Sequence, residues 1–185
     1  MAAVLAACGG GDDSGWDDTA SISGIYSGCE PINGVPLASK STTLDIDSTS
    51  MVVTHRVYAG SRACGGLLAA EVVFPYTRFT DAGTKVVGAP NGGTITARKA
   101  IFTSDQDEIA ATIDGSIEHA VVNGELIIYD PNSDGELYRV DVLQPADSYK
   151  DVLVRYNGAL YFGSDAVDSE GFSTGIDYSA GWAAH

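Results

Sequence analysis

Residues 130–141 read DPNSDGELYRVD and set Asp130, Asn132 and Asp134 at alternate positions ahead of Gly135. Hard oxygen ligands around a tight glycine turn are what Ca²⁺ requires, so these three are the candidate cation ligands. The same stretch also reads as a polar hairpin loop, because the flanks GELIIY and LYRVDV are strand-like. A second candidate is GFSTG, Gly171–Gly175, which spells the G-x-S-x-G of a nucleophilic serine turn. That chemistry needs a strand, a sharp turn and a helix, with a histidine to take the proton. Ten residues follow Gly175 in this sequence, none reads as helix, and the histidine among them is His185. The other histidines, His55 and His119, make no pair at metal-ligand spacing. Glu118 and His119 are adjacent on a strand and so face opposite ways. Asp105, Asp107 and Glu108 read as an acidic turn. With no catalytic constellation in view, the chain is read as non-enzymatic.

The elements that position these residues are strands. Asn-Gly occurs at Asn33-Gly34, Asn91-Gly92, Asn123-Gly124 and Asn157-Gly158. Asn-Gly readily takes the positive φ angles of a type I′ turn. HAVVNGELIIYD and LVRYNGALYFG flank it with β-branched and aromatic residues, which predicts two hairpins. Further strands are expected over Thr43–Asp47, Met51–Tyr58, Leu67–Phe74, Thr94–Phe102, Glu108–Ile113, Leu137–Leu143 and Lys150–Tyr156. In TLDID the apolar Leu44 and Ile46 alternate with Asp45 and Asp47, the pattern of a half-buried strand. The fold class expected is all-β, an antiparallel barrel or sandwich of about nine or more short strands with little helix. Between strands, the 130–141 spacing resembles the EF-hand loop, with Asp141 standing at its twelfth position. EF-hand loops join helices, whereas these flanks read as strands; Asp141 would lie too far along its strand, and Asp130, Asn132 and Asp134 are the expected ligand set.

Composition narrows the partners. The 185 residues suit one domain, expected over 21–185, and 44% hydrophobic residues are enough to build its core. Acids outnumber bases 25 to 10, for a formal charge of −15. Such a surface repels phosphate backbones, so nucleic acid is excluded as a partner class. Nine tyrosines suit half-buried strands, where the ring packs and the hydroxyl stays wet.

Three cysteines remain to be assigned. Leu5-Ala6-Ala7-Cys8 resembles the lipobox of bacterial lipoproteins, in which the cysteine becomes the acylated N-terminus after cleavage. The resemblance implies that residues 1–7 are signal peptide and that Cys8 is the lipidation site. Gly9-Gly10-Gly11-Asp12-Asp13 then opens a flexible tether over 8–20. Each buried CH₂ of an acyl chain contributes about 0.8 kcal/mol, so several chains anchor a protein stably. With Cys8 so used, Cys29 and Cys64 are left as a disulfide pair in an oxidising compartment; two separate buried thiols are the alternative. The blocks GIYSGC and HRVYAGSRAC are also similar to small exported β-barrels of a lipocalin-like sort. In those proteins a disulfide ties an N-terminal strand to a later one. Gly24-Ile25-Tyr26 stands where lipocalins carry G-x-W.

The expectation is therefore a lipid-anchored protein of the bacterial cell envelope or surface. Its β-domain would bind a ligand or a protein. The alternative is a structural subunit of an extracellular assembly built by strand addition. The membrane is a partner through the lipid, and Ca²⁺ is the one cofactor the sequence raises.

Overall fold

The computed structural model describes residues 22–76, 78–103, 109–133, 135–141 and 148–185. Cys8, Asp134 and the acidic turn at Asp105, Asp107 and Glu108 lie outside them. The described residues form thirteen strands and no helix. These are β1 Gly24–Pro31, β2 Ala38–Ile46, β3 Met51–Ala59, β4 Leu67–Tyr76, β5 Arg78–Gly88, β6 Thr94–Thr103 and β7 Ala110–Ile113, followed by β8 His119–Val122, β9 Glu125–Tyr129, β10 Glu136–Asp141, β11 Ser148–Tyr156, β12 Ala159–Gly163 and β13 Ile176–Ala184. Ten of them make one sheet in the order β5-β6-β11-β12-β13-β1-β2-β3-β4-β7, and β10-β9-β8 make a second. Every ladder is antiparallel. The all-β expectation is met, as a strongly curled half-barrel with a small sheet attached.

The curl follows from connectivity. β4 ends at Tyr76 and β5 begins at Arg78, yet they lie near opposite ends of the strand order. Tyr76 and Arg78 are two Cα steps and so at most ~7.6 Å apart, and the sheet must bend back to bring β4 and β5 that close. The Phe79 N–H then donates to the Thr49 carbonyl at 2.6 Å and ties β5 to the β2–β3 turn. Both predicted Asn-Gly hairpins form. Asn123 and Gly124 have φ of 53° and 84°, and Asn157 and Gly158 have 49° and 75°, the left-handed pair that a type I′ turn demands.

Strand alternation sorts the core. On the concave face, Tyr26, Leu44, Ile46 and Met51 from β1–β3 pack against Ala100, Phe102, Leu153 and Leu160 from β6, β11 and β12. The other end of the same face is closed by the small sheet. There Val57, Ala59 and Ala70 meet Leu126, Ile128 and Leu137. A third cluster lies on the outer face of β5, β6 and β11, where Val87, Ile95, Val152 and Val154 lie under Phe172. Phe172 belongs to the 164–175 connection, and three lysines from three neighbouring strands hold that segment down. Lys85 pairs with the Asp168 carboxylate and donates to the Ser173 carbonyl at 3.0 Å. Lys150 donates to the Glu170 carbonyl at 2.9 Å. Lys99 pairs with Glu170 at 2.5 Å and lies 4.3 Å from the Phe172 ring centroid.

Candidate functional site

The half-barrel is filled by side chains, so polar groups able to meet a ligand are found on its outer side. β1, β2 and β3 lie side by side there in continuous register. The row Cys29–Ser41–Arg56–Glu71 crosses four strands, and Ser27–Thr43–Thr54 is the next polar row but one. Because side chains alternate along a strand, Leu44 and Ile46 of β2 and Val57 and Ala59 of β3 go inward. Ser41, Thr43, Arg56 and Tyr58 are thereby left outward.

These side chains line an open concavity of about 540 Å³, bordered by Cys64 and His185. Its rim is covalent: Cys29 of β1 is bonded to Cys64, with Cα atoms 6.0 Å apart. The cysteine pair expected from the sequence is thus present as a disulfide. His185 closes the opposite side, where its Nε2 meets the Ser27 hydroxyl and its N–H donates to the Ile25 carbonyl at 3.0 Å. Arg56 is steadied by one bond, from Nε to Glu71 Oε2 at 2.7 Å. Its two Nη groups and the hydroxyls of Ser41, Thr43 and Tyr58 have no hydrogen-bond partner among the described residues. Most other hydroxyls of the loops are occupied. Ser50, Ser116 and Ser133 all donate to an aspartate two or three residues before them, and so does Ser179 within β13.

The residues singled out from the sequence lie elsewhere in the fold. Asp130 and Asn132 lie together in the β9–β10 turn. Asp130 Oδ1 accepts from the Asn132 backbone N–H at 3.0 Å and from its side-chain amide at 3.2 Å, while Oδ2 accepts from the Ser133 hydroxyl at 3.0 Å. The carboxylate therefore closes its own turn, and a cation there would have to share both oxygens with these donors. Asp134, the third expected ligand, is among the residues not described. Among the described residues no three acidic, histidine or cysteine side chains converge as a metal site would require.

Ser173 of GFSTG is buried, and its hydroxyl donates to Asp151 Oδ1 at 2.8 Å. Asp151 is 1% exposed. It also accepts from the Val152 N–H at 2.7 Å, the Gly163 N–H at 3.1 Å and the Tyr149 hydroxyl at 2.6 Å. Four donors satisfy a buried carboxylate and lock the serine as one of them. The segment is a loop with a Val167–Ser173 bridge, so this serine is a structural anchor.

His55 faces inward and joins the two sheets. Its Nδ1 and the Tyr138 hydroxyl of β10 are 2.7 Å apart, and the Phe74 ring is 4.9 Å away. Burial first, then repulsion from Lys40, pulls the His55 pKa down to about 4, against a smaller opposing pull from Glu30. Burial pushes the Tyr138 phenol up to about 12. His119 contacts the Ile117 carbonyl, at 3.2 Å from Nδ1.

Sequence reasoning placed Thr43 and Tyr58 on strands and weighed His185 as a proton acceptor without bringing them together, and it singled out none of Ser27, Ser41 and Arg56. In HRVY, Val57 between Arg56 and Tyr58 was a usable signal; in SKST all four residues are polar and no alternation shows. The meeting of Ser27 with His185, 158 residues apart, had none. Compared with protein-family models, curated proteins and solved structures, the chain matches none; it is an all-β protein with a curled antiparallel half-barrel sheet and a disulfide.

Proposed function

We propose that this chain is a lipid-anchored protein of the bacterial cell envelope, acylated at Cys8, whose β-domain is a non-enzymatic binding module. The observation that carries the binding role is the placement of uncommitted polar groups. They gather on the outer face of β1–β3 beside the disulfide, while the concave face is packed with Phe102, Leu153, Leu160 and their neighbours. A lipocalin-like module would hold its ligand inside; here the supported surface is outside. The disulfide supports export, since such bonds persist in oxidising compartments.

Recognition by strand addition is the weaker reading. Its natural template is the edge strand β5, which is eleven residues long. A bulge between Asp81 and Thr84, with Gly83 at φ 93°, breaks that edge. Arg78, Asp81 and Lys85 add charge along it. Bulges and charges are the devices that keep edges from pairing.

The test of the anchor is mass spectrometry of the N-terminal peptide from native envelope fractions. Expected is a peptide beginning at an acylated Cys8. A peptide running through an unmodified Cys8 would overturn the lipoprotein reading.

A further inference from the structure

We infer that the outer concavity of β1–β3 binds a polyhydroxylated ligand, a neutral saccharide chain. The inference rests on the binding-module reading above and names its ligand class. Three observations select it.

The first is the type of group presented. Ser41, Thr43 and Tyr58 each offer a hydroxyl that can both donate and accept, and Arg56 offers its two Nη groups as donors. Sugar hydroxyls also donate and accept, so they can satisfy a mixed set of this kind. A purely accepting anion would draw on the donors alone, Arg56 and the three O–H groups, and would make no use of the acceptor capacity of the hydroxyls.

Charge is the second. Arg56 is already balanced by Glu71 at 2.7 Å, on a chain of formal charge −15. The concavity therefore gives an anion little net attraction, while the surface around it repels one. A neutral polar ligand meets no such penalty.

Backbone satisfaction is the third. β2 is paired along its whole length, to β1 from Ser39 to Ile46 and to β3 from Ala38 to Ile46. The floor thus has no free ladder edge to offer a peptide backbone, and recognition must come from side chains. Tyr58 adds a ring against which a pyranose face can lie. The floor is preorganised by the ladders and by the Cys29–Cys64 bond, so little ordering entropy is lost on binding.

The experiment uses the full-length chain on an array of neutral and uronate-bearing oligosaccharides, followed by calorimetric titration with the best neutral binder. Expected is binding of neutral oligosaccharides. The Arg56→Gln, Tyr58→Phe and Ser41→Ala/Thr43→Val variants should each weaken it by about tenfold or more, the loss expected when a hydrogen-bonding site is stripped of a donor. Thermal melting of each variant separates lost contacts from lost fold. Should one variant unfold, chemical-shift mapping on the wild-type chain supplies the site, with shifts confined to Ser27, Ser41, Thr43, Arg56 and Tyr58. No neutral oligosaccharide bound, binding by uronates alone, or binding unchanged in all three variants would each overturn the inference. Binding by uronates alone would overturn the neutral ligand and keep the binding module, whereas no binding of any oligosaccharide would remove the support for both, so the two failures are distinguishable.

Discussion

The hydroxyl of Ser39 accepts the backbone N–H of Cys64 at 2.9 Å and donates to the Ser61 carbonyl at 2.8 Å. Ser39 is fully buried. Cys64 is held with φ at +50°, a left-handed conformation that costs a non-glycine residue about 1 kcal/mol. One serine thus fixes the turn that presents the second cysteine to Cys29. Ser39→Ala should lower stability by roughly 1–2 kcal/mol, because it strands a half-buried N–H and carbonyl together. Urea denaturation should show an earlier midpoint with an unchanged slope. An unchanged midpoint would mean that water replaces the hydroxyl at no cost.

Removing the covalent link tests the same corner from the other side. Cys29 and Cys64 are 35 residues apart, and closing such a loop in the unfolded chain is worth about 4 kcal/mol in the chain-entropy account. The Cys29→Ala/Cys64→Ala variant should therefore melt well below the oxidised protein. It should match wild type held in reductant. A melting point independent of reductant would show that the bond does not set stability.

The strands whose alternation or turn chemistry is local were legible in the sequence; those held from a distance were not. Leu44 and Ile46 against Asp45 and Asp47 announced β2, and the Asn-Gly pairs announced β8–β9 and β11–β12. β5, RFTDAGTKVVG, and β13, IDYSAGWAA, escaped because glycine, aspartate and lysine interrupt any period. Their pairing partners, not their composition, make them strands. The outer concavity was hidden for a related reason. Its row Cys29–Ser41–Arg56–Glu71 exists only once four strands are in register, and its residues are ordinary polar positions when read singly.

Gly163 shows a backbone position dictated by a neighbour's carboxylate. A Cβ on Gly163 would lie 2.2 Å from Asp151 Oδ1 and 2.2 Å from the Ser173 side chain, far inside contact distance. Neither can yield, since both are buried and bonded to each other at 2.8 Å. Gly163→Ala should cost about 3 kcal/mol or more, in the range for breaking a buried hydrogen-bonded charge. Ser173→Ala at the same site removes one of four donors and should cost about 1–2 kcal/mol. Chemical denaturation of the two variants should rank them in that order; the reverse order would show that the loop moves aside freely.

The contact of His55 with Tyr138 makes docking of the small sheet acid-sensitive, and the sign follows from the direction of the shift. The folded pKa, about 4, is below the unfolded value of about 6.5, so folding favours neutral imidazole. The stabilisation is complete above pH 6.5 and is lost as pH falls through the interval down to 4. Four elements face the ring. Tyr138 of β10 is bonded to it, Phe74 of β4 packs on it, Lys40 of β2 disfavours its charging and Glu30 of β1 favours it. Because His55 is only partly buried, solvent screens part of the effect, and the loss is on the order of 2 kcal/mol. Carboxylates titrate over the lower part of this interval, so the informative quantity is a difference between proteins. His55→Gln keeps a polar side chain opposite the Tyr138 hydroxyl and cannot titrate. Wild type should lose about 2 kcal/mol relative to this variant between pH 6.5 and 4, measured by urea midpoints at each pH. Parallel pH profiles for the two proteins would place the acid sensitivity of the fold elsewhere.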